Sequence, residues 1–398
     1  MNYKEVIEGY VEKHGDAFKQ IALDIHANPE VSDFEFFACE ILSNALTERG
    51  FTVTGDAAGH RTGFDARYSS GKPGPVVAFL AEYDALEGIG HACGHNLFGA
   101  MSALAGCAFK QVVDELGGEV RVYGTPGEEG GQNGSAKGSF ADKGYFDDVD
   151  FAMGVHPGEK DVLTGTSLAN ACVKIEFTGK PAHAAACPQD GINALDAVLQ
   201  VYHSINAMRQ HVTPDVRIHG IITHGGDAPN IVPEFAACYF FLRAATKPTA
   251  LNLYARAEKI MEAAALATGA TGKIYLSQNF VDNTLTTPSF DAVYKKNLEA
   301  YGRTVAPSRG GMGSTDVGNV SHVCPTIHPS ISIGDGSRIV GHSAEMREAS
   351  KTPRALDTIL LAAKVMSMTS LDLFLDPDLL ASVKAEHKAL LDAEMGTA

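Results

Sequence analysis

The order of short apolar segments along this chain constrains its fold more than any other feature. Four such segments, separated by helical stretches such as 97–116, predict buried strands at 75–81, 119–123, 149–155 and 326–333. Apolar strands that alternate with helices are typical of parallel sheets covered on both faces. The sequence therefore predicts an α/β domain with a mostly parallel central sheet. Amphipathic patterns predict further helices at 3–24, 32–49 and 354–369.

A different pattern interrupts this alternation between residues 169 and 282. The order here is strand, helix, strand, strand, helix, strand, with the two helices at 190–210 and 248–267. That order fits a small α+β insert with a sheet of its own. We therefore predict a discontinuous domain formed by 1–168 and 283–398, and a smaller domain formed by 169–282.

Charge and cysteine usage narrow the class of protein. The 48 acidic residues exceed the 32 Lys and Arg residues, and a net charge of −16 argues against nucleic acid or an anionic membrane as partner. No apolar run is long enough to cross a bilayer, and the N-terminus does not resemble a secretory signal. The seven cysteines are scattered, unlike a secreted disulfide framework. We expect a cytoplasmic protein whose thiols stay reduced.

Chemically reactive side chains follow each of the four predicted strands. The carboxyl ends of parallel strands meet at one edge of a sheet, so these side chains should lie close together. Imidazole, thiolate and carboxylate groups together suit a borderline-soft divalent cation such as zinc, manganese or cobalt. The sequence thus predicts a metal site drawn from Cys93, His95, Glu128, Glu129, His156 and His342.

Each segment taken alone also fits an ordinary structural role. A buried cysteine is usually a small apolar residue, and His183 or Arg243 alone fits a turn or an exposed strand end. Glu128 and Glu129 could be solvated charges, but their position between two glycines at a strand end favours a site. His328 is the main alternative to His342.

Six motifs, all in family order, resemble those of the M20 metallopeptidase and amidohydrolase family. The resemblance covers nearly the whole chain and is closest to the aminoacylase-like branch, which includes aminobenzoyl-glutamate hydrolases, indole-acetyl-amino-acid hydrolases and related dipeptidases. It implies a catalytic domain interrupted by a lid that also forms a homodimer. The motifs lie at 26–30, 91–95, 124–131, 154–156, 181–185 and 313–320.

The resemblance also implies a metal centre with two divalent ions per subunit, Mn²⁺ or Zn²⁺ and possibly Co²⁺. Cys93 would bridge the ions, and the other ligands would be His95, Glu129, His156 and His342. Glu128 would act as the general base, and Asp84 would orient a ligand. The branch usually has Asp where this chain has Glu82, and commonly has Asp where it has Asn96. Neither departure removes a metal ligand.

The substrate side of the implied site draws on the insert. His183 of the partner subunit would stabilise the oxyanion, and Asn230 and Arg243 would bind the substrate carboxylate. An arginine suits this role because its guanidinium grips a carboxylate through two parallel hydrogen bonds. Gly336, which follows the fourth predicted strand, is assigned to substrate binding with them.

The predicted reaction is hydrolysis of the amide bond in a small N-acyl or N-aroyl amino acid, or in a dipeptide. Metal ions would lower the pKa of water and so supply a nucleophile near neutral pH. One alternative is hydrolytic deamination of a small aromatic amine on the same site. Another is a family member that has lost catalysis and serves as a binding subunit, although the presence of Glu128, Glu129 and Cys93 favours an enzyme.

Overall fold

The computed structural model describes residues 2–307, 310–311, 313–336 and 338–396. Its internal contacts divide the chain into two compact units, a larger one that ends at Ser167 and resumes over Thr284–Gly396, and a smaller one over Leu168–Asn283. The predicted domain boundaries, 168/169 and 282/283, differ from these limits by one residue each. Residues 397 and 398 of the predicted larger domain lie outside the described residues.

The described residues form twelve strands. In chain order they are β1 (Thr52–Gly55), β2 (Phe64–Ser69), β3 (Val76–Ala81), β4 (Glu119–Gly124), β5 (Phe151–Met153), β6 (His156–Gly158), β7 (Ala169–Thr178), β8 (Arg217–His224), β9 (Phe235–Ala244), β10 (Thr271–Leu276), β11 (Thr326–Ile327) and β12 (Ser330–Ser332).

Eleven α-helices occur in the same described part of the chain. They are α1 (Tyr3–Ala27), α2 (Phe36–Glu48), α3 (His95–Leu116), α4 (Ala136–Asp142), α5 (Ala194–Met208), α6 (Lys247–Thr268), α7 (Pro288–Ala300), α8 (Val317–Ser321), α9 (Ala344–Ala349), α10 (Pro353–Leu375) and α11 (Pro377–Gly396).

The larger unit is built on a six-stranded sheet of order β1-β2-β4-β3-β5-β11. Strands β4, β3, β5 and β11 run parallel to one another, while β1 and β2 add an antiparallel edge. The apolar sides of α1, α3 and α10 share one core with this sheet. The α/β architecture with a mostly parallel central sheet is therefore confirmed.

Two of the predicted strands are each split in two. The segment 149–155 forms β5 and β6, and the segment 326–333 forms β11 and β12, with β6 and β12 paired as a separate parallel ribbon. The second break falls at Pro329, which has no N–H to donate to a ladder. Its carbonyl instead accepts a hydrogen bond from His156 N at 2.9 Å. The break therefore places His156 at the start of the ribbon.

Helix α2 begins later than the sequence pattern predicts, at Phe36 rather than residue 32. Asp33 has a φ of +68°, which a helix does not permit. The Glu30 carboxylate reaches forward and accepts hydrogen bonds from the backbone N–H groups of Phe37 and Ala38, both at 3.0 Å. These contacts satisfy amides that the first helical turn leaves without a partner.

Helix α10 is longer than predicted, and α11 after it was not predicted. Among the described residues α10 is the one helix with the length and apolar composition to span a membrane, and 72% of its apolar window is buried inside the protein. A core helix of a globular protein meets the same criteria.

The smaller unit is an antiparallel sheet of order β10-β7-β9-β8, packed against α5 and α6. It has a hydrophobic core of its own, formed by apolar side chains of both helices and the inner face of the sheet. Asn193 caps α5 by accepting hydrogen bonds from Leu195 N and Asp196 N, at 2.9 and 3.4 Å. Strand β8 forms one edge of the sheet, and its Ile221 side chain is 61% exposed.

Candidate metal centre

The turn between β3 and α3 presents a thiol and an imidazole side by side. Gly94 separates Cys93 from His95 and has a φ of +88°, which favours glycine. A Cβ atom at this position would lie 2.7 Å from Pro157 Cγ and 2.8 Å from Met346 Cε. Glycine is therefore required for Cys93 and His95 to lie at the start of α3, close against the ribbon that carries His156.

Cys93 belongs to two separate groups of potential metal ligands. One group is Cys93, His95 and His156, and the other is Cys93, Glu129 and His342; within each group the ligand atoms all lie within 4.8 Å of one another. The Cys93 Sγ atom is 3.4 Å from His156 Nε2. The five predicted ligands are thus close together, and the Cys93 thiol belongs to both groups.

His342 is held in an uncommon backbone conformation. Its φ is +61°, which costs energy for a residue with a Cβ and which clusters at functional sites. Its backbone N–H donates to the carbonyl of Ala92 at 2.8 Å, which ties it to the residue before Cys93. Its Nε2 atom lies 3.3 Å from Glu129 Oε1, and this hydrogen-bonded contact raises the pKa of His342.

Asp84 orients two of the predicted ligands at once. Its Oδ1 atom lies 2.8 Å from His95 Nδ1, and its Oδ2 atom accepts a hydrogen bond from the backbone N–H of Glu129 at 2.9 Å. With Nδ1 occupied in this way, Nε2 is the atom of His95 that is available to a cation. This contact is the kind of support that fixes the ring of a metal-binding histidine.

The two adjacent glutamates have opposite electrostatic environments. Burial, together with the charges of Glu82 and Glu129, raises the pKa of Glu128 well above its usual value. Burial also acts to raise the pKa of Glu129, but the hydrogen bond from His342 and the nearby imidazoles outweigh it and lower that pKa. The pKa values of these two neighbouring carboxyl groups are therefore shifted in opposite directions.

A buried ion network lies behind His95. Lys137 Nζ is 2.7 Å from Asp316 Oδ1 and 2.9 Å from Glu82 Oε1, and all three side chains are inaccessible to solvent. Glu82 Oε2 in turn lies 3.2 Å from His95 Nε2. Glu82 therefore lies between His95 and a buried lysine, an arrangement that the sequence did not reveal.

The residues present fit divalent cations. His95 Nε2 is buried without a hydrogen-bond partner of good geometry, an arrangement that is costly unless a ligand completes it. Sulfur, nitrogen and carboxylate oxygen in groups of this size suit zinc, manganese or cobalt. Burial raises the pKa of the Cys93 thiol to about 12, so binding of a cation there would have to displace its proton.

His328 lies beside the centre but outside both ligand groups. Its ring is 5.6 Å from the ring of His156, and burial lowers its pKa to about 3. It lines a cavity of about 550 Å³ in the larger unit, together with residues such as Gly158 and Leu163. The geometry favours His342 over His328 as a ligand.

The other predicted site residues do not belong to these groups of ligand atoms. Gly336 is exposed in the larger unit, with a φ of +101°. His183, Asn230 and Arg243 belong to the smaller unit. The Nδ1 atom of His183 accepts hydrogen bonds from Ala185 N and Ala186 N, both at 3.2 Å, so its proton is on Nε2.

One buried carboxylate near the site was missed from the sequence. Glu35 is fully buried, and it accepts hydrogen bonds from Gly127 N at 2.9 Å and from Thr62 Oγ1 at 2.8 Å. Burial and the charge of Asp84 raise its pKa to about 8. Its position in the apolar stretch Phe34-Glu35-Phe36-Phe37 was the available signal, since an acid in such a stretch is a candidate for burial.

Comparison with known proteins adds to this geometry. A family model described as the M20 peptidase dimerisation domain matches residues 169–269. Xaa-Arg dipeptidase from Mus musculus is 36% identical over 326 residues, which are 80% of this chain and 74% of that protein. A p-aminobenzoyl-glutamate hydrolase subunit from Escherichia coli is 31% identical over 467 residues, which are 98% of this chain and 95% of the relative.

Solved structures agree with the fold. Aminobenzoyl-glutamate utilization protein from Klebsiella pneumoniae superposes with a TM-score of 0.72 at 18% identity, over 90% of this chain and 98% of the other. A Bacillus subtilis protein described as a dinuclear metal binding peptidase from the M20 family has a TM-score of 0.61 at 17% identity, over 90% and 99%. The chain thus belongs to the M20 peptidase family and is a hydrolytic enzyme that acts on amide bonds.

Proposed function

We propose that the protein hydrolyses the amide bond of a small N-acyl or N-aroyl amino acid, or of a dipeptide. The observation that carries this proposal is Cys93, whose thiol is common to two groups of ligand atoms and has the partly buried acid Glu128 nearby. The relatives whose names specify amide substrates, the Xaa-Arg dipeptidase and the p-aminobenzoyl-glutamate hydrolase, support this substrate class.

The proposed centre would hold two divalent cations. Cys93, His95 and His156 form one group of residues that could hold a cation, and Cys93, Glu129 and His342 form the other. Cations bound there would polarise the amide carbonyl and make water a stronger nucleophile. Mn²⁺ and Zn²⁺, and after them Co²⁺, suit this mixture of donors.

Glu128 is the proposed general base and acid. Its carboxylate accepts a proton from the attacking water and then donates that proton to the leaving nitrogen as the C–N bond breaks. The raised pKa of Glu128 supports this role, because the carboxyl group must hold the proton between the two transfers. Asp84 keeps His95 and the backbone of Glu129 in position during the reaction.

Residues of the smaller unit are proposed to bind the substrate. Arg243, with Asn230, would grip the carboxylate of the amino-acid product, and Gly336 of the larger unit would leave room for it. The Arg243 guanidinium lies 5.3 Å from the Phe241 ring, and burial lowers the pKa of Arg243, so its charge is poorly solvated. A poorly solvated guanidinium gains more from a bidentate carboxylate than an exposed one does.

The enzyme is proposed to act as a homodimer joined through the smaller unit. The match of residues 169–269 to a dimerisation domain supports this, as does the open edge of β8 with its exposed Ile221 and Ile222. His183 of the partner subunit would then donate a hydrogen bond from its Nε2–H group to the oxyanion. The seven free cysteines support a cytoplasmic enzyme.

Exchange of Glu128 for Gln tests the proposal. We expect kcat for N-acetyl, N-benzoyl and Xaa-Arg substrates to fall by roughly 10²- to 10⁴-fold, because the base is lost, with metal content unchanged. Cys93→Ser should instead lose metal on dialysis, as measured by elemental analysis, and the exposed Glu115→Gln should alter neither property. Full activity of Glu128→Gln, or release of ammonia instead of an amino acid, would refute amide hydrolysis with Glu128 as base.

A further inference from the structure

The loop that carries Glu128 and Glu129 is fixed by its backbone as well as by its side chains. Gly127 and Glu129 flank Glu128, and each donates its backbone N–H to a buried carboxylate. The acceptor for Glu129 is Asp84, which also contacts a proposed metal ligand. The acceptor for Gly127 is Glu35, which contacts none.

Glu35 reaches the loop from a different part of the chain. It is the residue before α2, and its carboxylate lies in the interior because the preceding segment is not helical. A second hydrogen bond, from Thr62 Oγ1, fixes the other carboxylate oxygen, and the Thr62 carbonyl accepts the Tyr83 hydroxyl at 2.5 Å. Tyr83 precedes Asp84 in the chain, so the two sets of hydrogen bonds that hold the loop meet at neighbouring residues.

The Gly127 side of the loop depends on this contact. Gly127 has a φ of +68°, and its carbonyl accepts hydrogen bonds from Gly130 N and Ser135 N at 3.2 and 2.6 Å. The whole turn is therefore closed around Gly127, whose own N–H has Glu35 as its partner. Without that acceptor a buried amide would lack a hydrogen bond, and the turn would shift to satisfy it.

We propose that Glu35 is a positioning residue for the hydrolytic reaction, one that fixes the peptide before Glu128 and so directs the Glu128 carboxylate. The inference rests on the proposed role of Glu128 as the base. Reactions of this kind are sensitive to displacement of the base, and a shift of about 1 Å can lower a rate by roughly 100-fold. Glu35 thus acts on catalysis without contacting substrate or metal.

The chain offers a matched control for this role. Glu30 also carries a carboxylate that accepts two hydrogen bonds at the start of α2, but both come from the helix itself, from Phe37 N and Ala38 N. Removal of either carboxylate removes two hydrogen bonds from the same region of the fold. Only the removal of Glu35 affects the loop of Glu128.

The test compares Glu35→Ala, Glu35→Gln and Glu30→Ala. We expect Glu35→Ala to lower kcat by about 10- to 100-fold with KM and metal content unchanged, because only the aim of the base is lost. Glu35→Gln keeps an oxygen for Gly127 N and should recover kcat to within about threefold of wild type. Glu30→Ala should lower Tm, because two amides at the start of α2 lose their acceptor, yet keep kcat. Hydrogen exchange of the segment 125–131 should accelerate in Glu35→Ala alone.

The inference is overturned if Glu35→Ala and Glu30→Ala have the same kcat, or if Glu35→Ala loses metal in proportion to activity. If Glu35→Ala does not fold, Thr62→Val serves instead, because it removes the hydrogen bond from Thr62 Oγ1 to Glu35 at nearly constant volume. It should lower kcat and leave KM and metal content unchanged. An unchanged kcat would contradict the proposal. The activity of Glu128→Gln in the same assay separates the hypothesis that Glu128 is the base from the hypothesis that Glu35 positions it. A fully active Glu128→Gln would refute the base, whereas an inactive Glu128→Gln beside an unaffected Glu35→Ala would refute only the positioning role.

Discussion

Single buried charges in the larger unit differ in what stabilises them. Arg121 is almost fully buried, yet it has Asp148 and Glu119 as ion partners and the Tyr123 hydroxyl as a further contact. Asp291 is also buried, but it accepts its hydrogen bonds from the backbone N–H and the hydroxyl of Thr164. A carboxylate that relies on neutral donors is costly to ionise in the interior, and burial raises the pKa of Asp291 to about 6.

Asp291 should therefore make the stability of the protein depend on pH. Its pKa is higher in the folded chain than the usual 3.8, so the folded state binds more protons and stability falls as pH rises from about 4 to about 6. The loss over that range is about 3 kcal/mol. In Asp291→Asn, which keeps the acceptor for Thr164, we expect the fall to be smaller by about this amount, while other buried acids such as Glu35 keep their own contribution. Urea unfolding at pH 4, 5, 6 and 7 measures the free energy of unfolding, and the exposed Asp378→Asn is the control. If this free energy changes equally with pH in wild type, Asp291→Asn and Asp378→Asn, the prediction is contradicted.

At the scale of the element, the sequence was most informative where burial is uniform. The apolar runs of β3 and β4 and the periodic pattern of α3 gave their positions to within two residues, because both faces of these elements are buried. The strands β1 and β2 were missed, since they are short and partly polar and form the antiparallel edge of the sheet. Strand β2 does alternate, with Phe64, Ala66 and Tyr68 separated by polar residues, but over only 6 residues this alternation is a weak signal.

In the candidate site, too, some features could be predicted from the sequence and others could not. The ligand types and their positions after strands could be predicted, because parallel strands deliver their carboxyl ends to one edge. The contacts of Glu35 and Lys137 could not be predicted. The first joins two residues that are 92 positions apart in the chain, and the second joins two that are 179 positions apart. Hydrogen bonds over such separations follow from tertiary packing, which local patterns do not encode.

The loop of Glu128 should be intolerant of any side chain at Gly127. A Cβ atom there would collide with Ser32 Oγ, whereas at Gly71, whose φ of +70° is almost the same, nothing lies within 4 Å. Gly127→Ala and Gly71→Ala thus share the cost of about 1 kcal/mol for a left-handed alanine, and only the former has the collision. We expect kcat to fall at least about tenfold in Gly127→Ala and to stay near wild type in Gly71→Ala.

The second substitution Ser32→Ala identifies the cause. It removes the colliding oxygen, so Gly127→Ala with Ser32→Ala should recover part of the lost kcat, and the two changes should be non-additive. Additive losses in this double-mutant cycle would show that the collision is not the reason for the sensitivity of the loop.

At the scale of the whole molecule, the proposed dimer predicts complementation between two inactive variants. If His183 serves the site of its partner, a mixture of His183→Ala with Glu128→Gln contains hybrids in which one of the two sites is complete. Equal mixing with random exchange should restore about a quarter of wild-type activity. The measurement is activity after subunit exchange, with exchange verified by mass-tagged subunits.

The control for this experiment is a mixture of His183→Ala with the double variant that carries both changes. No complete site can form in it through exchange, so it should stay inactive. If the first mixture also stays inactive despite proven exchange, His183 acts within its own chain, and the shared site has to be abandoned.

The chain order of the proposed metal ligands has a consequence for how the enzyme is made. Cys93, His95, Glu129 and His156 precede the smaller unit, but His342 follows it. During synthesis at roughly 5–20 residues per second, the ribosome needs several seconds to pass from Asn283 to His342. The smaller unit, which has its own core, can fold in that interval, whereas the metal centre must wait for its last ligand. A nascent chain is therefore expected to fold the smaller unit before it can bind the full set of proposed cations.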